Sequence, residues 1–406
     1  MRKHWSPSQC IERLQPAAGH APSTASIPKT DWATPTHIAH RMESLYYVMC
    51  YACHRRCRHC YDNRFRPYVR DELEAVVAQA ERCFPRIVDN LPDRMTYLDR
   101  RAPRPDGSLP ERPGRIIVSG GEALHEAVRE RVTHKVVERL REKYGDMARV
   151  VVQTTGDLLD DATVEALLVR GVWSISVAGV DDFHAGMEGV DRQHAFVERL
   201  TRLFETHGMK PAAPSVGDAQ WNGQTGPVFS FFGATPDMWI GKLWPRGRAW
   251  ENALSTATLA DNFCNRWSGA RGFLDHAFDG SEVSIEPDGN VYPCCIKTRV
   301  PIGNLVEERL LDILDSLADE PAYQALNRGA PQHMGEAYGW DEARFVTASK
   351  TFMPNGARYE NLCIGCDRFH QAVLAPVIEA ARARRLAKRG REGTVRIRTS
   401  AVASSE

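Results

Sequence analysis

Short β-branched runs alternate with amphipathic stretches through the middle of the chain. Leu45–Met49 is an apolar run of strand length, followed at once by a cysteine-rich loop. Leu73, Val76, Val77, Ala80, Phe84 and Ile87 then recur at helical spacing. Arg115–Ser119 reads as a second strand. Val128, Val132, Val136, Val137 and Leu140 mark the helix after it, which Gly145 is placed to end by adopting positive φ. The cycle repeats with Arg149–Gln153 and a helix through Val164–Leu168 stopped at Gly171. It repeats again with Trp173–Val177 and a helix through Phe196, Leu200 and Phe204 stopped at Gly208. Strands separated by single helices pair in parallel through right-handed crossovers. The pattern predicts an α/β fold, as a barrel or an open doubly wound sheet. In either, ligands bind in loops at the carboxyl ends of the strands.

Two stretches interrupt the cycle. Asn90–Gly114 carries five prolines (Pro92, Pro103, Pro105, Pro110, Pro113) and reads as a surface excursion, as does the Gly/Pro/Gln-rich Pro211–Gly226. After about residue 255 the pattern changes. Val283–Glu286, the turn Pro287–Asn290 and Val291–Pro293 form a predicted hairpin, with a helix around Leu305–Leu317, as expected of a second, smaller domain. Residues 1–40, rich in Pro, Ser, Thr and Ala, read as a poorly ordered arm. The tail beyond 378 reads as a helix running into a solvated, frayed basic segment, with eight Lys/Arg and one Glu from Arg382 to Arg398.

Composition narrows the functional classes. The 406 residues are 43% hydrophobic and 26% charged, values of a globular chain with a large core. Lys+Arg 52 balance Asp+Glu 52, which removes the electrostatic argument for a nucleic-acid or anionic-membrane partner. No run approaches the roughly 18 apolar residues of a membrane span, and the N-terminus lacks the apolar core of a signal peptide. A cytoplasmic location follows as the expectation. Eleven cysteines, an odd number and mostly clustered, fit metal clips in a reducing compartment better than disulfides.

The strongest chemical signal is Cys53-His-Arg-Arg-Cys57-Arg-His-Cys60, directly after the first strand. Three thiolates in one short loop can hold a cubane cluster and leave one of its irons without a protein ligand, the mark of reactive metal. Arg55, Arg56 and Arg58 are expected to lower the thiol pKa values. Ser119-Gly120-Gly121-Glu122 ends the second strand and Thr154-Thr155-Gly156 the third. Ser174 and Ser176 lie on the fourth, and Pro245-Arg246-Gly247-Arg248-Ala249 follows later. In this order the motifs resemble those of the radical S-adenosylmethionine (radical SAM) superfamily: its CxxxCxxC loop, GGE motif, TNG-like turn and PxGRA-type segment. The resemblance implies a partial (β/α)6 TIM-like barrel over 41–255. It also implies S-adenosylmethionine (SAM) bound at the open iron of a [4Fe-4S] cluster on Cys53, Cys57 and Cys60. His59, Tyr61, Gly120, Gly121, Glu122, Thr155 and Ser176 are the positions it assigns to SAM. The two glycines would let bare backbone approach the SAM amino group, with Glu122 as acceptor.

A second set comprises Cys264, Cys294, Cys295, Cys363 and Cys366. Gly289-Asn-Val-Tyr-Pro-Cys294, within Ile285–Leu305, resembles the Gly-x4-Cys element of SPASM and twitch auxiliary-cluster domains. With only Cys363-Ile-Gly-Cys366 beyond it, the match implies a twitch-like domain over 256–375, before a helical basic tail at 376–406. Its one auxiliary [4Fe-4S] cluster falls on Cys264, Cys294, Cys363 and Cys366, with Cys295 the spare or its substitute. A structural zinc site is the alternative the same thiolates allow. Cys83 and Cys50 read as packing residues and Cys10 as part of the arm.

The resemblance implies an enzyme that reductively cleaves SAM to a 5′-deoxyadenosyl radical and modifies a peptide or natural-product substrate, drawing electrons from a flavodoxin or ferredoxin. Sugar-modifying and haem- or molybdopterin-type cofactor enzymes belong to the same superfamily. A non-enzymatic zinc- or cluster-binding interaction protein would explain the cysteines but not Ser119–Glu122 at a strand end.

Overall fold

The computed structural model describes residues 41–212, 224–233, 242–266 and 268–403, with side chains described as far as 389. The arm at 1–40, Cys10 within it, and most of the Pro211–Gly226 excursion lie outside the described residues. The barrel portion runs β1 (Ser44–Val48), α1 (Arg70–Asp89), β2 (Thr96–Leu98), β3 (Glu111–Ser119), α2 (Lys135–Tyr144), β4 (Ala148–Thr154), α3 (Asp161–Val169), β5 (Ser174–Ala178), α4 (Val190–Thr206), β6 (Lys210–Pro211), β7 (Val228–Phe232) and α5 (Gly247–Glu251). A hairpin and its return strand follow: β8 (Glu282–Ile285), β9 (Asn290–Tyr292) and β10 (Gly303–Asn304). The remaining elements are α6 (Leu310–Asp315), α7 (Pro321–Asn327), α8 (Glu342–Ala348), β11 (Lys350–Phe352), β12 (Arg358–Glu360), α9 (Leu362–Phe369) and α10 (Ala375–Ala403).

The strand–helix alternation appears where the periodicity places it, and the first four core strands succeed one another in parallel as β1-β3-β4-β5. The far edge departs from simple succession. β7 inserts between β5 and β6, parallel to both. Side chains on each strand alternate between two layers, as the pleat requires. Leu45, Tyr47 and Met49 join the core shared with Val77, Ala80 and Ile87 of α1, whereas Tyr46 and Val48 belong to a second cluster on the opposite face. Ends of β1, β3, β4, β5 and β7 all border one cavity, so the sheet curls around it as a partial barrel.

The C-terminal hairpin does not form a sheet of its own. β8 pairs in parallel with β1, from Ser44 opposite Glu282 to Tyr47 opposite Ile285, and β9 and β10 extend the sheet antiparallel. The apolar alternation of Glu282–Ile285 marks a strand but says nothing about its partner, which is why the composition change near 255 reads as a break.

Two expectations need correction. Asn90–Gly114 is not all surface: Leu91, Met95 and Tyr97 are buried, and β2 pairs antiparallel with the early half of β3, Thr96 opposite Pro113 and Leu98 opposite Glu111. Only residues 100–108 form the exposed tip. The prolines obscured a strand because β3 continues four residues beyond its apolar run. The basic tail is likewise not frayed throughout. Arg385 donates to Glu308 at 2.6 Å and to Ser316 Oγ at 2.8 Å, and Arg382 also pairs with Glu307 and Glu308. Arg385 and Glu308 side chains are 8% and 2% exposed, so this ion pair is buried, and removing Arg385 leaves Glu308 to the more distant Arg382 at 3.6 Å.

Replacing Arg385 with Met is therefore expected to cost about 3 kcal/mol in urea unfolding. A loss below roughly 0.5 kcal/mol, the level of an ordinary surface substitution, would show that α10 is not docked.

Candidate active site and auxiliary metal site

The loop after β1 carries Cys53, Cys57 and Cys60 to the mouth of the partial barrel. There all three border one cavity of about 920 Å3, together with Gly120, Gly121, Glu122 and Thr155. The loop is fixed by its backbone. Cys53 N–H donates to Arg66 O at 3.1 Å and Cys60 N–H to Cys57 O at 3.4 Å. Arg248, buried in the first turn of α5, donates to the carbonyls of Cys57 at 2.8 Å and Phe65 at 2.7 Å. Gly247 beside it has φ +53°, and a Cβ there would lie 2.6 Å from Cys60 O, so the Pro245–Ala249 segment packs directly on the cysteine loop.

Burial dominates the thiols. It pushes Cys53 up to about 12 and Cys60 up to about 11, and raises Cys57 despite the opposing effect of an Ala185 backbone hydrogen bond and of Arg55 and Arg248. Of Arg55, Arg56 and Arg58, expected to lower the thiols, Arg55 does so at Cys57, and burial outweighs it. Arg56 and Arg58 are exposed, and Arg55 turns to Asp157, with Nη2 2.9 Å from its Oδ2. Three buried thiols that resist ionisation on their own are released from that cost by a bound metal, which takes up the thiolate charge.

The glycine pair has a packing cause beside the one the motif suggests. A Cβ on Gly120 would lie 2.7 Å from Cys50 O, and one on Gly121 2.4 Å from Ala52 O. Gly121 and Glu122 donate their amides to those same two carbonyls, at 3.0 and 2.9 Å. The glycines thus let two consecutive strand-end loops lie against each other. Cys50, buried at the end of β1, contributes its backbone here.

Glu122 is 2% exposed and accepts from Leu124 N, Thr154 Oγ1, Thr155 N and Thr155 Oγ1 at 2.6–2.9 Å. Thr155 Oγ1 also lies 2.5 Å from Asp157 Oδ1. A hydroxyl has one proton, so when it serves Asp157 a Glu122 lone pair is released beside the cavity for a cationic donor. Two other lining groups lack a partner among the described residues: Arg55 Nη1 and His59 Nδ1 are buried without a hydrogen bond. Together these match the demands of an amino-acid group, an acceptor for ammonium and a free guanidinium donor for carboxylate. The cavity residues therefore fit SAM and an iron–sulfur cluster, which Cys53, Cys57 and Cys60 would hold.

The other assigned positions fall as follows. Tyr61 borders the cavity, edge-on to Trp244 at 4.9 Å and to Phe65 at 5.5 Å. His59 lies edge-on to His184 at 4.3 Å, and burial with the nearby His184 pushes it down to about 4. His184, held by Asp181 at 2.9 Å, is a cavity residue that no motif announced. Ser176 faces Ser230 across β5 and β7 at 3.0 Å, one inward step deeper than Ala178, and is not part of the cavity wall.

A second pocket of about 440 Å3 is bordered by Cys264, Cys294, Cys363 and Cys366. Two asparagines deliver these thiols by the same device. Asn262 Oδ1 accepts from Cys264 N and Asn361 Oδ1 from Cys363 N, both at 3.0 Å, each capping the turn that bears its cysteine. Burial raises all four thiols, and the charges of Cys363, Cys366 and Cys294 raise Cys264 further. Such mutual opposition suits a bound cation and fits an iron–sulfur cluster held by these four residues. Cys295 is 1% exposed and lies outside the pocket, in the apolar cluster of Tyr46, Trp244 and Ile296. Of the two neighbours, Cys294 faces the other thiols.

Residues 279–334 match the family model for SPASM, an iron–sulfur cluster-binding domain. This segment contains the predicted Gly289–Cys294 element. The match and the two cysteine sites together support the kinship with radical SAM enzymes that bear SPASM-type domains. No curated protein matches the chain by sequence. Similar solved structures include BtrN in complex with AdoMet and 2-DOIA, at 13% identity and a TM-score of 0.40, covering 74% of this chain and 92% of that one. They also include anSMEcpe with bound AdoMet and the Cp18Cys peptide, at 14% identity and a TM-score of 0.35, covering 84% and 99%. A third is Streptococcus suis SuiB bound to S-adenosylmethionine, at 12% identity and a TM-score of 0.35, covering 71% and 68%.

After anaerobic reconstitution, Cys295→Ala should retain its full iron content, whereas Cys294→Ala should lose about four irons, those of one cubane. Iron loss in Cys295→Ala with Cys294→Ala unaffected would reverse the assignment.

Proposed function

We propose that the protein is a radical SAM enzyme that modifies a peptide or natural-product substrate with the help of one auxiliary iron–sulfur cluster. The observation that carries this reading is the convergence of Cys53, Cys57 and Cys60 with Gly121, Glu122 and Thr155 on a single cavity. With cluster and SAM bound, the chemistry supplied is one-electron reductive cleavage of SAM to methionine and a 5′-deoxyadenosyl radical that abstracts hydrogen from substrate. The chain's own residues bind and orient. The three cysteines would hold the cluster, Glu122 would accept the ammonium, and Arg55 would receive the carboxylate. Tyr46, Phe65, Leu243 and Trp244 give the cavity apolar walls that exclude water from a reactive radical.

The auxiliary site lies behind one wall of this cavity. Tyr61, Trp244 and Cys295 belong to an apolar cluster against which Cys60 packs as well as Cys294 and Cys363. Cys264, Cys294, Cys363 and Cys366 would hold an auxiliary cluster there, which would supply an acceptor for the electron released when a substrate radical is oxidised. A flavodoxin or ferredoxin is the electron donor proposed for the SAM-binding cluster.

The reconstituted chain with a strong reductant is expected to hold about eight irons and to release 5′-deoxyadenosine. Cys57→Ala should abolish release, and Cys363→Ala should leave uncoupled cleavage largely intact. Stoichiometric zinc with no SAM cleavage would refute the proposal.

A further inference from the structure

Lys297 holds a backbone conformation that its residue type disfavours, with φ +66°. A non-glycine residue there is strained and persists only where its surroundings require it. Its surroundings belong to both cysteine sites. The residue borders the four-thiol pocket, and its amide donates to Cys294 O at 3.1 Å, closing the turn that carries that ligand. Its side chain, 10% exposed, crosses to the other site. Nζ lies 2.7 Å from Asp62 Oδ2 and 2.8 Å from Glu286 Oε1, within 5.7 Å of the Tyr61 ring. Asp62 stands two residues after Cys60, and its carbonyl lies 3.4 Å from the Cys60 sulfur.

The network is closed by Arg64, which donates to Asp62 Oδ2 at 2.7 Å and to Glu286 on β8's outgoing turn. Two cations and two anions balance. Asp62 and Glu286 are 9% and 1% exposed, so the surrounding dielectric screens them weakly. Glu286 belongs to the hairpin that carries Cys294, Asp62 to the loop that carries Cys60.

We infer that Lys297 is a positioning residue shared by the two cysteine sites: it ties the Cys60 loop to the Cys294 turn and places one positive charge between them. The inference rests on the proposed function, since the charge acts on the clusters those cysteines would hold. A nearby cation stabilises the more negative, reduced state of a cluster, so losing it lowers the reduction potential, and losing a nearby anion raises it. Lys297 therefore holds both potentials up, against the opposing charges of Asp62 and Glu286.

The test is an EPR-monitored redox titration of the full, reconstituted chain. Lys297→Met should shift the midpoint potentials of both clusters to more negative values, and Glu286→Gln should shift both to more positive values. Lys297→Gly, which relieves the backbone while removing the charge, should follow Lys297→Met and keeps the test available if the Met variant folds poorly. Unchanged potentials, or shifts of the same sign for the Lys297 and Glu286 variants, would overturn the inference, because loosened packing alone does not track the sign of the charge removed. A wild-type protein with zinc in the four-thiol pocket would instead overturn the functional reading beneath it.

Discussion

Strand β1 is hydrogen-bonded along both edges, to β3 on one side and to β8 on the other, and this shared strand determines the arrangement of everything chemical in the molecule. The loop leaving β1 carries Cys53, Cys57 and Cys60. The turn leaving β3 carries Gly120–Glu122 and is pinned to that loop by two backbone hydrogen bonds. The hairpin leaving β8 carries Cys294. All three strands run parallel, so their outgoing loops gather at one end. The separation of the two cysteine sites is thereby set by sheet geometry and not by a flexible linker between domains.

The cost of this arrangement is the placing of seven buried or half-buried thiols where ionisation is disfavoured, Cys53, Cys57, Cys60, Cys264, Cys294, Cys363 and Cys366. A metal bound at either site would offset that cost and couple its loading to local folding. The wall between the sites combines an apolar part, around Tyr61, Trp244 and Cys295, with a charged part built from Asp62, Arg64, Glu286 and Lys297. The first keeps water out. The second locks the loops that bring the ligands.

Much of this was legible in the sequence, for physical reasons. Strand and helix positions followed from apolar periodicity, because burial against one layer imposes it directly. Both cysteine sets were visible by residue type, the first also by its short spacing, and the structure brings each set to one cavity. The pairing of β8 with β1 was not legible, since alternation identifies a strand without naming its neighbour. A packing reason for Gly120 and Gly121 was not legible, because it is set by the backbone that approaches them, here Cys50 and Ala52. Lys297 and His184 escaped notice for a related reason: the contacts of Lys297 with Asp62 and of His184 with His59 each span more than a hundred positions. The SPASM match reaches only to residue 334, so Cys363 and Cys366 depend on the structure for their place beside Cys264 and Cys294.

The central claim is that two iron sites are built on one strand and face each other across the Tyr61–Trp244 wall. Anomalous diffraction at the iron edge from crystals of the reconstituted protein measures this directly. The account predicts two iron peaks, one bordered by Cys53, Cys57 and Cys60 and one enclosed by Cys264, Cys294, Cys363 and Cys366. A single peak, or a zinc signal in place of either, would contradict it.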